Sequence, residues 1–247
     1  MTTTIYLIVN ADDFGQSDGI NRGIIAAHEQ GIVTSASFMT RWPAAAAAAA
    51  YARHHPRLSL GLHVDICEWA YRNECWVPLY EVIPLSDSAA VSDEVWRQIE
   101  AFRRLVGREP THLDSHQHVH LREPLRTVLT RVAEQLAIPL RHASPGVCYC
   151  GSFYGQTAQG VPLPEAISVA GLLHTLETLA PGLTELGCHP GSDNDLDTMY
   201  SSERIQEVKV LCDPRVRAAI ATLGIELCSF HDFPVYGTQR TKGEVRA

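Results

Sequence analysis

At 247 residues, with 45% hydrophobic and 19% charged composition, the chain has the balance of an ordinary globular protein and the length for a large core. A formal net charge of -8 argues against nucleic acid or an anionic membrane surface as the main partner, since both would repel it. The cysteines (Cys67, Cys75, Cys148, Cys150, Cys188, Cys212 and Cys228) are odd in number and scattered, which fits a reducing cytoplasm better than a secreted disulfide scaffold. Cys148-Tyr149-Cys150 on its own is a weak sign of a soft-metal site.

The chain begins with Met1 to Val9, which has no basic segment and only a short apolar run, so no signal peptide is expected. No apolar segment approaches the length of a membrane span, and a cytoplasmic location is expected. Short apolar runs then read as strands at Ile5 to Asn10, Thr34 to Thr40, Leu58 to Val64, His112 to His116, Ile138 to His142, Leu183 to His189 and Ile225 to Phe230. Helix formers with apolar residues at three- and four-residue spacing fill Gly19 to Gln30, Pro43 to His55, Asp93 to Val106, Glu123 to Leu136, Pro164 to Leu179 and Ser202 to Leu223. Alternation of this kind implies parallel strands with right-handed crossovers, and seven units point to a closed or nearly closed (β/α) barrel in one domain over residues 1–237, with a frayed polar tail over 238–247. Two excursions, Cys67 to Ala90 and Ser144 to Pro164, read either as a roof offering aromatic surface to a sugar ring or as ordinary surface loops.

The polar residues of note fall at strand ends, where barrels of this type build their active sites. Asp12-Asp13 follows the first apolar run, and neighbours on an extended chain diverge, so one could bind a cation while the other faces water. His63 lies in Leu60-Gly61-Leu62-His63-Val64-Asp65, where Gly61 permits close approach of another backbone. His112, Asp114, His116, His118 and His120 all carry even numbers, so a strand here would place four imidazoles and a carboxylate on one face. A packed core would not tolerate that, whereas a divalent cation suits neutral imidazole plus carboxylate. Asp13, His63 and His116 together would form a two-histidine, one-carboxylate shell, with Asp114, His118 and His120 orienting His116 or touching substrate. His189, in Gly187-Cys188-His189-Pro190-Gly191, is placed to protonate a leaving amine or to be hydrogen-bonded in its turn.

Several ordered motifs resemble the YdjC-like carbohydrate deacetylases, which include chitooligosaccharide deacetylases. These are Ile8-Val9-Asn10-Ala11-Asp12-Asp13-Phe14-Gly15, Gly31-Ile32-Val33-Thr34-Ser35, Gly61-Leu62-His63, the His112 to His120 run and Cys188-His189-Pro190-Gly191, spanning residues 5–233. The resemblance implies a deformed (β/α) barrel related to NodB-type polysaccharide deacetylases. It also implies hydrolysis of an N-acetyl group from an N-acetylated mono- or oligosaccharide, assisted by one divalent ion, Mg2+ or Zn2+. By motif, Asp13, His63 and His116 resemble the metal ligands, Asp12 the general base and His189 the acid. Members of the family are often dimeric, which allows a homodimer. Gln117 departs from relatives that carry another histidine there, and the two excursions match no known chitobiose-processing pattern. The alternatives are a metal-dependent isomerase or aldolase on the same barrel, and a non-catalytic sugar-binding relative.

Overall fold

The computed structural model describes residues 4–233, so the tail expected over 238–247 lies outside the described residues. Strand β1 (Ile5–Phe14) lies at the middle of the sheet and is followed by helix α1 (Asp18–Glu29). Next come β2 (Ser35–Phe38), α2 (Ala45–His54) and β3 (Ser59–Val64), then a hairpin of β4 (Cys67–Arg72) and β5 (Cys75–Glu81) and helix α3 (Ser88–Val106). β6 (Leu113–Ser115), α4 (Leu125–Leu136), β7 (Val147–Cys150), α5 (Val169–Glu177), β8 (Gly182–Cys188), α6 (Ser202–Leu211), α7 (Pro214–Thr222) and β9 (Ile225–Leu227) complete the described chain.

The main sheet runs β6-β3-β2-β1-β8-β7 with all pairings parallel, and β9 lies along the first half of β1. Beyond β6, Leu113 makes a single parallel bridge to Leu140, and Arg141 reaches Glu185 on β8. The sheet edges therefore curl toward each other, giving the deformed barrel expected of this pattern. Alternation along the strands divides the apolar residues in two. Leu7, Val9 and Ala11 pack with Ile20, Ile24, Ala48 and Phe102 in the large core beneath the helices. Ile8 joins Leu183, Cys228 and Phe230 in a second, smaller cluster.

The ends of the elements follow from local chemistry. Ser17 caps α1 by accepting the Ile20 N–H at 3.1 Å. Gly15, at φ +98, makes the strand-to-helix turn, where a Cβ would meet the Met39 carbonyl oxygen at 2.7 Å. Asp87 caps α3, which starts at Ser88 and so earlier than the expected Asp93. The Ser202 to Leu223 segment is two helices and not one, because Pro214 opens α7 behind an Asp213 cap.

Three further expectations need correction. Ile138 to His142 contributes one bridge and no strand: Pro139 lacks a ladder donor, and His142 at φ 64 ends the extension. The seventh strand of the sheet is instead β7, inside the Ser144 to Pro164 excursion. The Cys67 to Ala90 excursion, read as a roof or as an ordinary surface loop, is built on a hairpin that Asn73 and Glu74, both left-handed at φ 50 and 62, turn in two residues, and its Trp69 and Trp76 line a cleft as a roof would. Gly61 admits the His112 imidazole, not a backbone, since a Cβ there would stand 2.4 Å from His112 Nε2. Gly61→Ala is therefore expected to lower stability by about 1–3 kcal/mol through overpacking, as measured by urea denaturation. An unchanged midpoint would contradict this packing.

Candidate functional site

Parallel pairing brings the carboxyl ends of β1, β3, β6 and β8 to one side. In register, His63 stands beside Asp114, and the His63 Nδ1–H donates to Asp114 Oδ1 at 2.8 Å. β1 carries a register shift between Ala11 and Phe14, and Asp13 is left-handed at φ 69. The expected divergence of Asp12 and Asp13 is thereby cancelled, and both carboxylates line the same cleft. Asp13 Oδ1 stands 3.0 Å from His116 Nδ1 and 3.3 Å from His63 Nε2. Donors that share one ion at about 2.1 Å are separated by about 3.0–3.4 Å, so the spacing matches a common cation. All three residues are buried, with ligand atoms within 4.8 Å of one another.

Electrostatics in this corner favour a positive charge. Burial alone would lower the His63 pKa, yet the carboxylates of Asp114 and Asp12 push it up to about 10. His116 is likewise raised, with Asp13 outweighing burial. A proton on these rings occupies a field that a divalent ion would satisfy, and imidazole plus carboxylate is a donor set such ions accept.

The even-numbered residues of the histidine run do not all share one face: His112 and Asp114 do, and the period fails beyond His116. The strand stops at Ser115 because Gln117 and His118 turn left-handed, at φ 50 and 52, within a tight 3-10 segment. His112 is not among the cation ligands but lies on the face of Asp114: its Nε2–H donates to Ser37 Oγ at 3.0 Å, that hydroxyl donates to Asp114 Oδ2 at 2.6 Å, and the imidazole stacks on Phe230 with centroids 3.8 Å apart. Burial lowers its pKa to about 3, so it is neutral. His120 is satisfied at both nitrogens, accepting from Ser115 Oγ at 2.7 Å and donating to the Arg141 carbonyl at 3.2 Å. His118 lines the cleft next to Tyr149, whose hydroxyl is 3.5 Å from its Nε2.

Two buried arginines were not anticipated. Arg141 grips Asp12 with two bonds, Nη1 to Oδ2 at 2.7 Å and Nη2 to Oδ1 at 2.8 Å; its Nε donates to Glu185 Oε1 at 2.8 Å, and its Nη2 forms an ion pair with Asp114 Oδ2 at 2.7 Å. Burial would raise the Asp12 pKa, and the Arg141 guanidinium more than offsets it, leaving the carboxyl ionised below its ordinary value. Arg204 holds Asp13 through Nη2 to Oδ2 at 2.6 Å. The available signal was an arginine directly after the apolar run at Ile138; no local spacing announced Arg204.

His189 follows β8, with Nε2 3.7 Å from Asp12 Oδ2 and a buried Nδ1 that has no hydrogen-bond partner among the described residues. Burial lowers its pKa to about 4. Its backbone N–H donates to buried Glu207, which also accepts the Tyr200 hydroxyl. Asp65, two residues after His63, anchors the surroundings by accepting from Arg41, Trp42 and Tyr80. The cleft over these groups has a volume of about 660 Å³ and is lined by Trp69, Trp76, Tyr149, Phe153, Tyr154 and Tyr200, within the size range of small-molecule sites.

A deformed parallel barrel with this edge is the architecture of the NodB-like carbohydrate deacetylases. Its likeness to a family 4 carbohydrate esterase from Streptomyces lividans, at TM-score 0.51 and 13% identity over 92% of this chain and 91% of that one, shows the fold alone. A crystal structure of a protein from Enterococcus faecalis V583 is closer, at TM-score 0.73 and 26% identity over 93% of this chain and 99% of that one. The chain belongs to the YdjC-like family, whose model matches residues 6–222. It is 33% identical to a carbohydrate deacetylase of Geobacillus stearothermophilus and 33% identical to a chitooligosaccharide deacetylase of Serratia marcescens, each over 92% of this chain and 98% of the relative.

Proposed function

We propose that this chain is a metal-dependent carbohydrate N-deacetylase of a single catalytic domain, acting in the cytoplasm on an N-acetylated mono- or oligosaccharide. The observation that carries this is the Asp13, His63 and His116 donor cluster beside an arginine-clamped Asp12, in a chain whose relatives are named deacetylases. Asp13, His63 and His116 would hold the ion. Two imidazoles and one carboxylate form a set that Zn2+ accepts readily and Mg2+ less so. When bound, the ion polarises a carbonyl oxygen and increases the acidity of water.

The remaining work belongs to the side chains. Asp12, ionised and fixed by Arg141, takes a proton from the attacking water as its oxygen bonds to the acetyl carbon. Collapse breaks the C–N bond, and His189, one short transfer from Asp12, delivers a proton to the sugar nitrogen, so acetate and a free amine leave. The aromatic cleft walls offer faces to a pyranose ring. Across the described residues no helix is long and apolar enough to cross a membrane.

The test is release of acetate and free amine from a panel of N-acetylated mono- and disaccharides. Stoichiometric appearance of both products is expected. Turnover that rearranges a sugar without acetate release would overturn the reading in favour of an isomerase.

A further inference from the structure

The reaction outlined above makes no use of Glu68, a buried carboxylate beside the centre. Glu68, on β4, is 6% exposed, and its Oε2 stands 3.7 Å from His116 Nε2. That nitrogen is itself buried and has no hydrogen-bond partner among the described residues. The opposite nitrogen of the same ring, Nδ1, faces Asp13 Oδ1 at 3.0 Å. His63 displays the completed form of this arrangement, with Nε2 toward Asp13 at 3.3 Å and Nδ1–H donating to Asp114 at 2.8 Å. Each ring therefore turns one nitrogen to the shared carboxylate of Asp13 and the other to a second buried carboxylate.

What brings Glu68 there is the residue following His116. Gln117, left-handed at φ 50, aims its side-chain amide at β4: the Trp69 N–H donates to Oε1 at 2.9 Å, and Nε2 donates to the Trp69 carbonyl at 2.8 Å. An amide paired on both edges imitates an adjacent strand. Trp69 is the next residue after Glu68, at the point where the hairpin register shifts. The clamp thus ties the residue after the imidazole to the residue after the carboxylate. A histidine at position 117 could not form both bonds with one planar amide edge.

We propose that Glu68 is the positioning residue of His116, accepting its Nε2–H, and that the Gln117 clamp on Trp69 sets their separation, so the hairpin that roofs the cleft also completes the centre. This rests on the metal reading of Asp13, His63 and His116. A carboxylate on the outer nitrogen fixes the tautomer that leaves the Nδ1 lone pair free toward Asp13, and makes the ring a stronger donor; loss of such a partner typically costs about 10- to 100-fold in metal affinity.

The experiment is titration of the purified full chain with Co2+, followed by visible absorption, for the unaltered protein, Glu68→Ala, Glu68→Gln and Gln117→Leu, with cooperative thermal unfolding verifying that each is folded. Glu68→Ala should bind Co2+ about 10- to 100-fold more weakly while reaching the same saturated spectrum. Glu68→Gln, which keeps an acceptor oxygen, should recover most of that loss, and Gln117→Leu should weaken binding in the same direction. Undiminished affinity in Glu68→Ala would overturn the proposal, as would a changed saturated spectrum, which would make Glu68 a ligand. Unchanged affinity in Gln117→Leu would remove the clamp from it. If the unaltered protein bound no Co2+ at all, the metal reading itself would fall.

Discussion

Asp12→Asn is expected to lower kcat for deacetylation by about 10²- to 10⁴-fold, the range for a positioned proton acceptor, with metal content unchanged. The expectation follows from the division of labour at the end of β1. Asp13 faces His63 and His116 and is held by Arg204, whereas Asp12 is held by Arg141 and lies 3.7 Å from His189. Asparagine keeps the shape and can still accept from Arg141, but it cannot take up a proton. Steady-state kinetics alongside elemental analysis would decide it. Full activity in the variant would move the base elsewhere; loss of the ion would mean that Asp12 helps to hold it.

Replacement of Arg141 by methionine is expected to have the largest effect on stability. The side chain is 4% exposed and is the shared partner of Asp12, Asp114 and Glu185. Removing one member of a buried ion pair costs about 3–5 kcal/mol because the other charges stay behind without compensation. The sign of the pH dependence follows. In the unaltered protein Asp12 and Asp114 are depressed: burial raises them and Arg141 outweighs it. Their contribution is present above the ordinary carboxylate range and is lost as pH falls. Without Arg141, burial dominates at Asp12, its folded pKa rises above the unfolded one, and stability is lost as pH rises, while Asp114 keeps the His63 imidazole as a partner. The deficit of Arg141→Met should accordingly be greater at pH 8 than at pH 5 in urea denaturation. A deficit below about 1 kcal/mol at both values, the size of an ordinary surface change, would show that the cluster does not depend on this cation.

The parts of this site legible in the sequence were those that sit where strands end. Asp12, Asp13, His63, His116 and His189 each follow an apolar run, and a parallel barrel brings such ends together whatever the spacing between them. The five-residue face of the histidine run was legible only as composition. Two left-handed residues, Gln117 and His118, break the period of two and send His118 and His120 to surroundings different from those of His112, Asp114 and His116. No periodicity rule anticipates that backbone turn. Arg141 was hidden for another reason: a lone arginine is ordinarily exposed, and the partners that justify its burial lie at Asp12, Asp114 and Glu185, far apart along the chain. Glu68 became visible only once the hairpin had folded over the cleft. The strands were likewise readable except for the fifth, where Pro139 spoils Ile138 to His142 and β7, inside the Ser144 to Pro164 segment, joins the sheet instead.

The claim on which the rest depends is that Asp13, His63 and His116 hold a divalent ion required for deacetylation. The most direct measurement is metal content together with acetate release from an N-acetylated disaccharide, for the unaltered chain and for His116→Ala. Stoichiometric ion and acetate release in the first, with both lost in the second, is the predicted result. Undiminished acetate release by a metal-free His116→Ala protein would contradict it.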